Sequence, residues 1–441
     1  MIAKTCFYLS LVLALFLSAC KNEYAAIHHS PQPIESITDT TVQHSPSEID
    51  YILNRLPFLS LDSTILNQLN FNSKSVEWYS LADSSTYLFS LDLLSTLSTN
   101  EKTNYISTQL GFKTPPTSTT LTELKIALDP GHSAGDFESA KIEGKFLELL
   151  ASKNMELTTD TRLIESELTF HTALVLKKQL EAFGAEVMIT RPEFGKSAMG
   201  YDFNYWFKNL FQQHLDSLFA IKEINLEEYE RYKKLKKNNS DYAQKVIFNK
   251  IFNRLDFETR ANKINAFSPH LTLVLHYNVD IKNDPWETPT KENKAMAFAP
   301  GGFMQDETLK PEDQFHFLRL LFSNQIEESI SLSHHIIDEL RQDSLIEIAK
   351  DSDSISYLTN YCIPTEFEGV YCRNLALTRK ITSPVCYLEP LYQDNVYEHI
   401  ALGKKNIPFD NFLISKRVQE IANAYYKGII AYWELRNKKQ E

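Results

Sequence analysis

Short apolar runs and helical segments alternate along the chain from residue 121 onwards. Apolar side chains recur at helical spacing over residues 165–183, Gly184 ends that helix, and residues 418–433 form a closing amphipathic helix. Strands separated by helices favour a parallel sheet. We therefore predict an α/β fold with a twisted, mostly parallel sheet and helices on both faces. The predicted strands span residues 125–128, 186–190, 271–275, 295–299 and 385–388.

The N-terminus resembles a bacterial export signal. Lys4 precedes an apolar run over residues 7–17, which is too short to span a bilayer. Small residues then lead directly to Cys20, as in the lipidation site of bacterial lipoproteins. We predict that residues 1–19 are a signal peptide and that Cys20 carries a lipid. The mature protein is then exported and anchored to a membrane of the cell envelope, facing the periplasm. An ordinary secretory signal is the alternative.

The charge balance restricts the partners of the chain. It contains 45 Lys and Arg against 57 Asp and Glu, which gives a formal net charge of −12. A nucleic-acid-binding protein needs a surplus of positive charge to neutralise phosphates, so we exclude that class. The N-terminal run is the only long apolar segment, which excludes a protein with several transmembrane helices.

Composition changes along the chain indicate its organisation. Residues 20–48 are polar and contain several prolines, so we predict a flexible tether. Residues 49–120 form a small, mostly helical N-terminal region of unknown role, and the α/β domain covers 121–435. Two stretches within that domain look inserted, namely 196–255 and 281–329. We interpret them as surface elaboration of the fold.

Four side chains that can bind a metal or move a proton stand at predicted strand or helix ends. His132 follows the first strand, His276 and Glu389 end two later strands, and Glu165 begins a helix. Because ligands of parallel sheets bind beyond the carboxyl ends of the strands, we expect these side chains to meet at one edge. Two imidazoles and one carboxylate suit a catalytic Zn²⁺ with an open position. The second carboxylate is then available for proton transfer.

Each residue also has a plainer interpretation. A histidine after a Pro-Gly turn is commonly a solvated loop residue, and a glutamate at a helix start complements the helix dipole. Glu167 is an alternative to Glu165 at the same helix start. Cys362 and Cys372 are close enough in sequence for a loop-closing disulfide, and buried free thiols are the alternative.

Taken together, the order and spacing of these motifs resemble the zinc-dependent N-acetylmuramoyl-L-alanine amidases of bacterial cell walls. The resemblance covers roughly residues 121–435. Its motifs are Leu128-Asp129-Pro130-Gly131-His132, Glu165, Gly184-Ala185-Glu186-Val187-Met188-Ile189-Thr190-Arg191, Arg260, Asn265, Leu275-His276-Tyr277-Asn278 and Leu388-Glu389. The chain departs from the family pattern where Ser133 and Ala134 replace two glycines and where Pro390 follows the last glutamate, which indicates a divergent member.

The resemblance implies an activity and a set of residue roles. The substrate is peptidoglycan, and the bond cut is the amide between N-acetylmuramic acid and L-alanine. His132, Glu165 and His276 bind zinc, and Glu389 is the catalytic carboxylate. The spacing to Gly184 in the family favours Glu165 over Glu167.

The same resemblance extends to substrate binding and regulation. Asn278 and Arg260 are candidate substrate-binding residues, and orienting the site or forming a turn are the alternatives for Asn278. Family members often gate the site with an inserted helix, so an inserted stretch is a candidate lid on which an activator protein acts. Two other functions stay open. One is a peptidoglycan-binding lipoprotein that has lost turnover, and the other is a zinc peptidase or carboxypeptidase on a similar fold.

Overall fold

The structure is a computed structural model. It describes residues 47–112, 124–153, 156–281, 287–344 and 346–438. The predicted signal peptide, Cys20 and nearly all of the predicted tether lie outside these residues. Within them, no helix combines the length and apolar character that crossing a bilayer requires.

Helices and strands alternate over most of the described chain. The α-helices are α1 (Glu48–Leu59), α2 (Ser63–Leu66), α3 (Leu91–Thr96), α4 (Thr99–Leu110), α5 (Phe137–Glu143), α6 (Glu165–Ala182), α7 (Phe203–Asn209), α8 (Phe211–Ala220), α9 (Leu226–Asn238), α10 (Asp241–Ile247), α11 (Asn253–Phe267), α12 (Pro311–Phe322), α13 (Gln325–Asp343), α14 (Ser356–Tyr361), α15 (Ala376–Lys380), α16 (Val396–Gly403) and α17 (Lys416–Lys438). Short 3₁₀ turns cover Ala151–Lys153 and Asp351–Asp353, and a π-helical segment covers Phe248–Phe252.

The strands are β1 (Leu69–Phe71), β2 (Ser75–Tyr79), β3 (Thr86–Ser90), β4 (Lys125–Pro130), β5 (Phe146–Leu149), β6 (Thr161–Ile164), β7 (Glu186–Ile189), β8 (Leu271–Leu275), β9 (Lys294–Ala299), β10 (Glu347–Ile348), β11 (Ile363–Pro364), β12 (Val370–Cys372), β13 (Val385–Glu389), β14 (Lys405–Phe409) and β15 (Phe412–Ser415). The five predicted strands and the closing helix are all present.

An eight-stranded mixed sheet forms the centre of the fold. Its order is β11-β12-β9-β13-β8-β4-β7, and β10 pairs with β9. Strands β7, β4, β8 and β13 run parallel, whereas β9 is antiparallel to β13. The prediction of a mostly parallel sheet is confirmed. Leu275 pairs with both Pro130 and Leu388, so β4, β8 and β13 end level at one edge.

Both faces of this sheet are buried because side chains alternate along each strand. In β4, Ile126 and Leu128 join the large apolar core that also contains residues of α6, α13 and α17. Ala127 points to the opposite face and packs with residues of α11 and α15. Helices therefore cover both faces, as predicted. The α13–α17 pair packs very closely, since a Cβ atom added to Gly428 would lie 2.6 Å from the Cα atom of Ile336.

The two stretches that look inserted differ in structure. Residues 196–255 are helical, as predicted, and form an apolar cluster around Trp206 and Phe252. Much of 281–329, in contrast, lies in the core and is neither surface elaboration nor a lid. Strand β9 sits between β12 and β13, and Phe317 of α12 is fully buried. Small and apolar side chains in β9 suit an interior strand.

The N-terminal region shares the core of the α/β domain. Besides helices α1–α4 it contains an antiparallel sheet, β1-β2-β3, that the sequence did not predict. The Trp78 ring lies 5.2 Å from the Phe317 ring, and the Phe89 ring lies 5.1 Å from the Phe322 ring. Arg55 donates a hydrogen bond to the Leu321 carbonyl. These contacts join residues 47–112 to α12.

The cysteines in question are not bridged. Cys362, Cys372 and Cys386 are free, so the loop-closing disulfide is absent and the alternative of free thiols holds among the described residues. Cys372 and Cys386 are fully buried.

We predict that Phe89→Ala lowers the free energy of unfolding by about 3–5 kcal/mol, because it leaves a cavity in this shared core. Urea denaturation followed by tryptophan fluorescence measures the change. Leu88→Ala is the matched control, since Leu88 is the next residue of β3 and is 55% exposed. Equal effects of the two substitutions would show that β3 does not contribute to the common core.

Candidate metal centre

His132, Glu165 and His276 meet at the carboxyl edge of the parallel strands. The Nε2 atom of His132 lies 3.1 Å from the Oε1 atom of Glu165, and the Nδ1 atom of His276 lies 3.0 Å from that same oxygen. Each side chain offers one ligand atom, and all three atoms lie within 4.8 Å of one another. The structure thus brings together three residues that are far apart in sequence.

The donor set fits a bound zinc ion. The Nε2 atom of His132 is buried and, although it lies 3.1 Å from Glu165, it forms no hydrogen bond of suitable geometry with any described residue, which is unusual for a polar atom inside a protein. Zinc bonds of about 2.0–2.1 Å place tetrahedral ligand atoms roughly 3.3 Å apart, close to the two distances above. Two histidines and a carboxylate also leave the fourth position open, as catalytic zinc sites require.

Buried arginines hold the loop that carries His132. This residue has a left-handed backbone with φ of 61°, which is uncommon outside glycine. Arg260 donates to the carbonyls of Pro130 and His132, and Arg191 donates to the carbonyls of Pro130 and Gly131. Both guanidinium groups are 1% exposed. Arg260 is therefore enclosed by protein and positions the loop, and substrate binding by Arg260 stays a prediction.

Close packing fixes His276 at the end of β8. A Cβ atom added to Gly131 would lie 2.3 Å from the Cε1 atom of His276, so any side chain at position 131 would collide with the imidazole. On its other side the imidazole stacks on Tyr387, with ring centres 4.5 Å apart and planes 8° apart. The ring is thereby held at one orientation.

Glu165 is turned towards the two histidines. It begins α6, and its Oε1 atom accepts a hydrogen bond of 3.1 Å from the backbone N–H of Tyr277. Glu167 instead forms an ion pair of 2.6 Å with Lys405. The structure therefore places Glu165, and not Glu167, in the metal-binding group.

Glu143 is a member of the site that the sequence analysis missed. Its Oε1 atom lies 2.9 Å from the Nδ1 atom of His132, and its Oε2 atom accepts hydrogen bonds from the backbone N–H groups of Ser133 and Ala134. A carboxylate at Nδ1 holds the proton on that nitrogen and leaves Nε2 free to bind a metal. Glu143 thus fixes both the loop and the tautomer of His132.

The electrostatics of the group favour a neutral His276 and an ionised Glu165. Burial lowers the pKa of His276 to about 4, so this imidazole is neutral at pH 7, as a metal ligand must be. Burial also opposes the charge on His132, but Glu165 and Glu143 outweigh it and raise the pKa of His132. Burial opposes ionisation of Glu165 as well, yet His132 and Lys145 hold the pKa of Glu165 well below its usual range.

Glu389 ends β13 beside the ligand group. The pairing of Leu388 with Leu275 puts Glu389 next to His276 in the sheet. The Oε2 atom of Glu389 is buried and has no hydrogen-bond partner among the described residues. Burial, assisted by the negative charge of Glu165, raises the pKa of Glu389 to about 8. A divalent cation at the site would lower this pKa, because it favours the ionised carboxylate.

Asn278 follows the second histidine but has partners within the protein. Its side-chain amide donates to the hydroxyl of Tyr357 over 2.8 Å, and its side-chain carbonyl accepts from the backbone N–H of Val279. It therefore shapes the turn after β8. Substrate binding by Asn278 stays a prediction.

The comparisons with known proteins give distant similarity. No family model matches the chain, and no curated protein sequence matches it. Among solved structures, it is similar to the CwlD amidase from Clostridioides difficile in complex with the GerS lipoprotein, with 17% identity, coverage of 71% of this chain and 99% of that chain, and a TM-score of 0.36.

Two further similar structures are N-acetylmuramoyl-L-alanine amidases. For Ami1 from Mycobacterium abscessus the identity is 13%, the coverage 71% of this chain and 100% of that chain, and the TM-score 0.37. For AmiC2 of Nostoc punctiforme the identity is 14%, the coverage 70% of this chain and 97% of that chain, and the TM-score 0.34. At this distance the chemistry has to be derived from the residues of this chain.

We predict that Glu143→Gln weakens zinc binding by about 10–100-fold. The glutamine side chain has only one oxygen, which cannot accept hydrogen bonds both from His132 and from the two backbone N–H groups. The imidazole therefore loses its fixed tautomer. Competition with a chromophoric chelator measures the dissociation constant. Glu138→Gln is the control, because Glu138 lies on the same helix, is largely exposed and contacts Lys141. An unchanged dissociation constant for Glu143→Gln would remove Glu143 from the site.

Proposed function

We propose that the chain is a zinc-dependent N-acetylmuramoyl-L-alanine amidase. It hydrolyses the amide between N-acetylmuramic acid and L-alanine in peptidoglycan. The observation that carries this proposal is the meeting of His132, Glu165 and His276, beside which the Oε2 atom of Glu389 has no hydrogen-bond partner among the described residues. The sequence motifs that resemble this enzyme family coincide with the same four residues.

Zinc, when bound, supplies a Lewis acid that polarises the amide carbonyl and makes water more acidic. His132, Glu165 and His276 hold it, and Glu143 and Tyr387 keep the two imidazoles oriented. Three protein ligands would leave the fourth position of a tetrahedral zinc ion for water or substrate.

Glu389 moves the proton in this proposal. It accepts a proton from the water that attacks the amide carbon and later delivers a proton to the departing nitrogen. The C–N bond breaks, leaving a carboxyl on the lactyl group and a free amine on L-alanine. The buried, unpartnered Oε2 atom of Glu389 supports this role, since no protein donor competes for it among the described residues.

The location proposed is the cell envelope. Residues 1–19 direct export, and Cys20 carries the lipid that tethers the enzyme to a membrane. Labelling with a radioactive fatty acid tests this, because the label should enter the wild-type protein and be lost in Cys20→Ser. Incorporation that persists in Cys20→Ser would contradict lipidation at this residue.

We predict that Glu389→Gln keeps its zinc and lowers kcat by about 10²–10⁴-fold, since it cannot accept a proton. Metal analysis and release of soluble muropeptides measure the two properties. Glu347→Gln is the control, as Glu347 is an exposed glutamate of another strand. Normal turnover by Glu389→Gln would exclude Glu389 from proton transfer.

Removal of the metal and analysis of the products distinguish a zinc amidase from a peptidase and from a peptidoglycan-binding protein. We expect a strong chelator to abolish clearing of a cell-wall zymogram and added zinc to restore it, while His132→Ala should clear nothing and contain little zinc. Mass spectrometry should find intact stem peptides with a free L-alanine amine. Products cut within the peptide would indicate a peptidase, and bound but uncut peptidoglycan would indicate a binding protein.

A further inference from the structure

Arg373 has an unusual environment for a half-buried arginine. It directly follows β12, and its guanidinium carbon lies 5.3 Å from the centre of the Phe298 ring and 5.2 Å from that of Tyr357. Among the described residues, no carboxylate or carbonyl accepts a hydrogen bond from this guanidinium. A guanidinium has five N–H donors, so those of Arg373 are left to solvent or to a ligand.

The fully buried arginines of this chain are different. Arg191, Arg260 and Arg319 all donate hydrogen bonds to backbone carbonyls. The interior therefore supplies at least some acceptors to these arginines, although the Nη1 atom of Arg191 and the Nε atom of Arg319 are buried without a partner among the described residues. Arg373 lies over two aromatic rings instead, and no acceptor among the described residues occupies its N–H groups.

Tyr357 connects Arg373 to the candidate metal centre. Its ring packs on the guanidinium, and its hydroxyl lies 2.8 Å from the Nδ2 atom of Asn278 and 2.9 Å from the Sδ atom of Met296. Asn278 is two residues after His276, and Met296 pairs with Glu389 in the sheet. Arg373 is thus linked to the His276 and Glu389 positions through Tyr357 and one further residue, Asn278 or Met296. Its charge also lowers the pKa of Glu389, although burial outweighs this effect.

We propose that Arg373 binds a carboxylate on the peptide side of the substrate. This inference rests on the proposed amidase function. The planar N–H fork of arginine matches a carboxylate with two parallel hydrogen bonds. In the proposed substrate the lactyl carboxyl is tied up in the amide that is cut, so the anionic groups near this bond are the carboxylates of the stem peptide. Arg373 then selects substrates with a free carboxylate.

Two synthetic muramyl peptides test the proposal with the full chain loaded with zinc. One carries free carboxylates on its peptide, and the other carries carboxamides at the same positions. We expect the wild-type protein to prefer the acid by roughly 10–100-fold in kcat/KM, mainly through KM, because a charge-assisted hydrogen bond is lost with the amide. Arg373→Gln should lose this preference, because its kcat/KM should fall more on the acid than on the amide substrate.

Two further variants sharpen the test. Arg373→Lys retains the charge without the fork and should recover only part of the preference. Arg341→Gln is the control, because Arg341 is an exposed arginine paired with Glu368, and it should keep the wild-type preference. Thermal melting of each variant verifies that it is folded.

Several results would overturn the proposal. Equal cleavage of both peptides by the wild-type chain would do so, and so would an equal loss on both peptides in Arg373→Gln, which indicates packing alone. Cleavage of neither peptide by the wild type would contradict the amidase function itself. Calorimetric titration with both peptides then decides about Arg373: tighter binding of the acid that disappears in Arg373→Gln supports the subsite, and equal affinities refute it.

Discussion

The candidate metal centre depends on two buried arginines that form hydrogen bonds with the backbone of the loop after β4. Together, Arg191 and Arg260 donate hydrogen bonds to three consecutive backbone carbonyls, those of residues 130, 131 and 132. Arg260 is in turn held by Asp256 at 2.7 Å and lies 3.6 Å from Asp129. Because these charges are enclosed by protein, removing one partner would leave an uncompensated buried charge. The strained backbone of His132 is therefore held in place by an interaction that is difficult to break.

Much of the fold follows from local patterns in the sequence. Strands β4, β7, β8 and β13 are short apolar runs bounded by turn residues, and α6 shows clear helical spacing before Gly184. These patterns involve only residues that are neighbours in sequence, so they can be recognised without knowing how the rest of the chain folds. The gathering of His132, Glu165, His276 and Glu389 also follows, because parallel strands that end level place their carboxyl ends at one edge.

The missed features depend on contacts between distant segments. Glu143 looks like an ordinary glutamate at the end of a short helix, and only the folded loop brings His132 and two backbone N–H groups to it. The sequence likewise indicates that Arg260 lies near the site, but it does not show that this residue is enclosed by protein. The apolar run predicts strand β9 itself. It does not predict that β9 pairs with β13 and therefore lies inside the sheet.

The helical stretch 196–255 has a structural connection to the metal centre. Helix α5 ends at Glu143, and Ile142 packs against the apolar cluster of this stretch. Asp256, at the start of α11, accepts from the backbone N–H of Ala198 as well as pairing with Arg260. Gly135 and Gly195 approach so closely that a Cβ atom on Gly135 would lie 2.8 Å from the Cα atom of Gly195. The stretch thus supports the carboxylate and the arginine that position His132, so changes in its packing reach the site through α5 and the 132–135 loop.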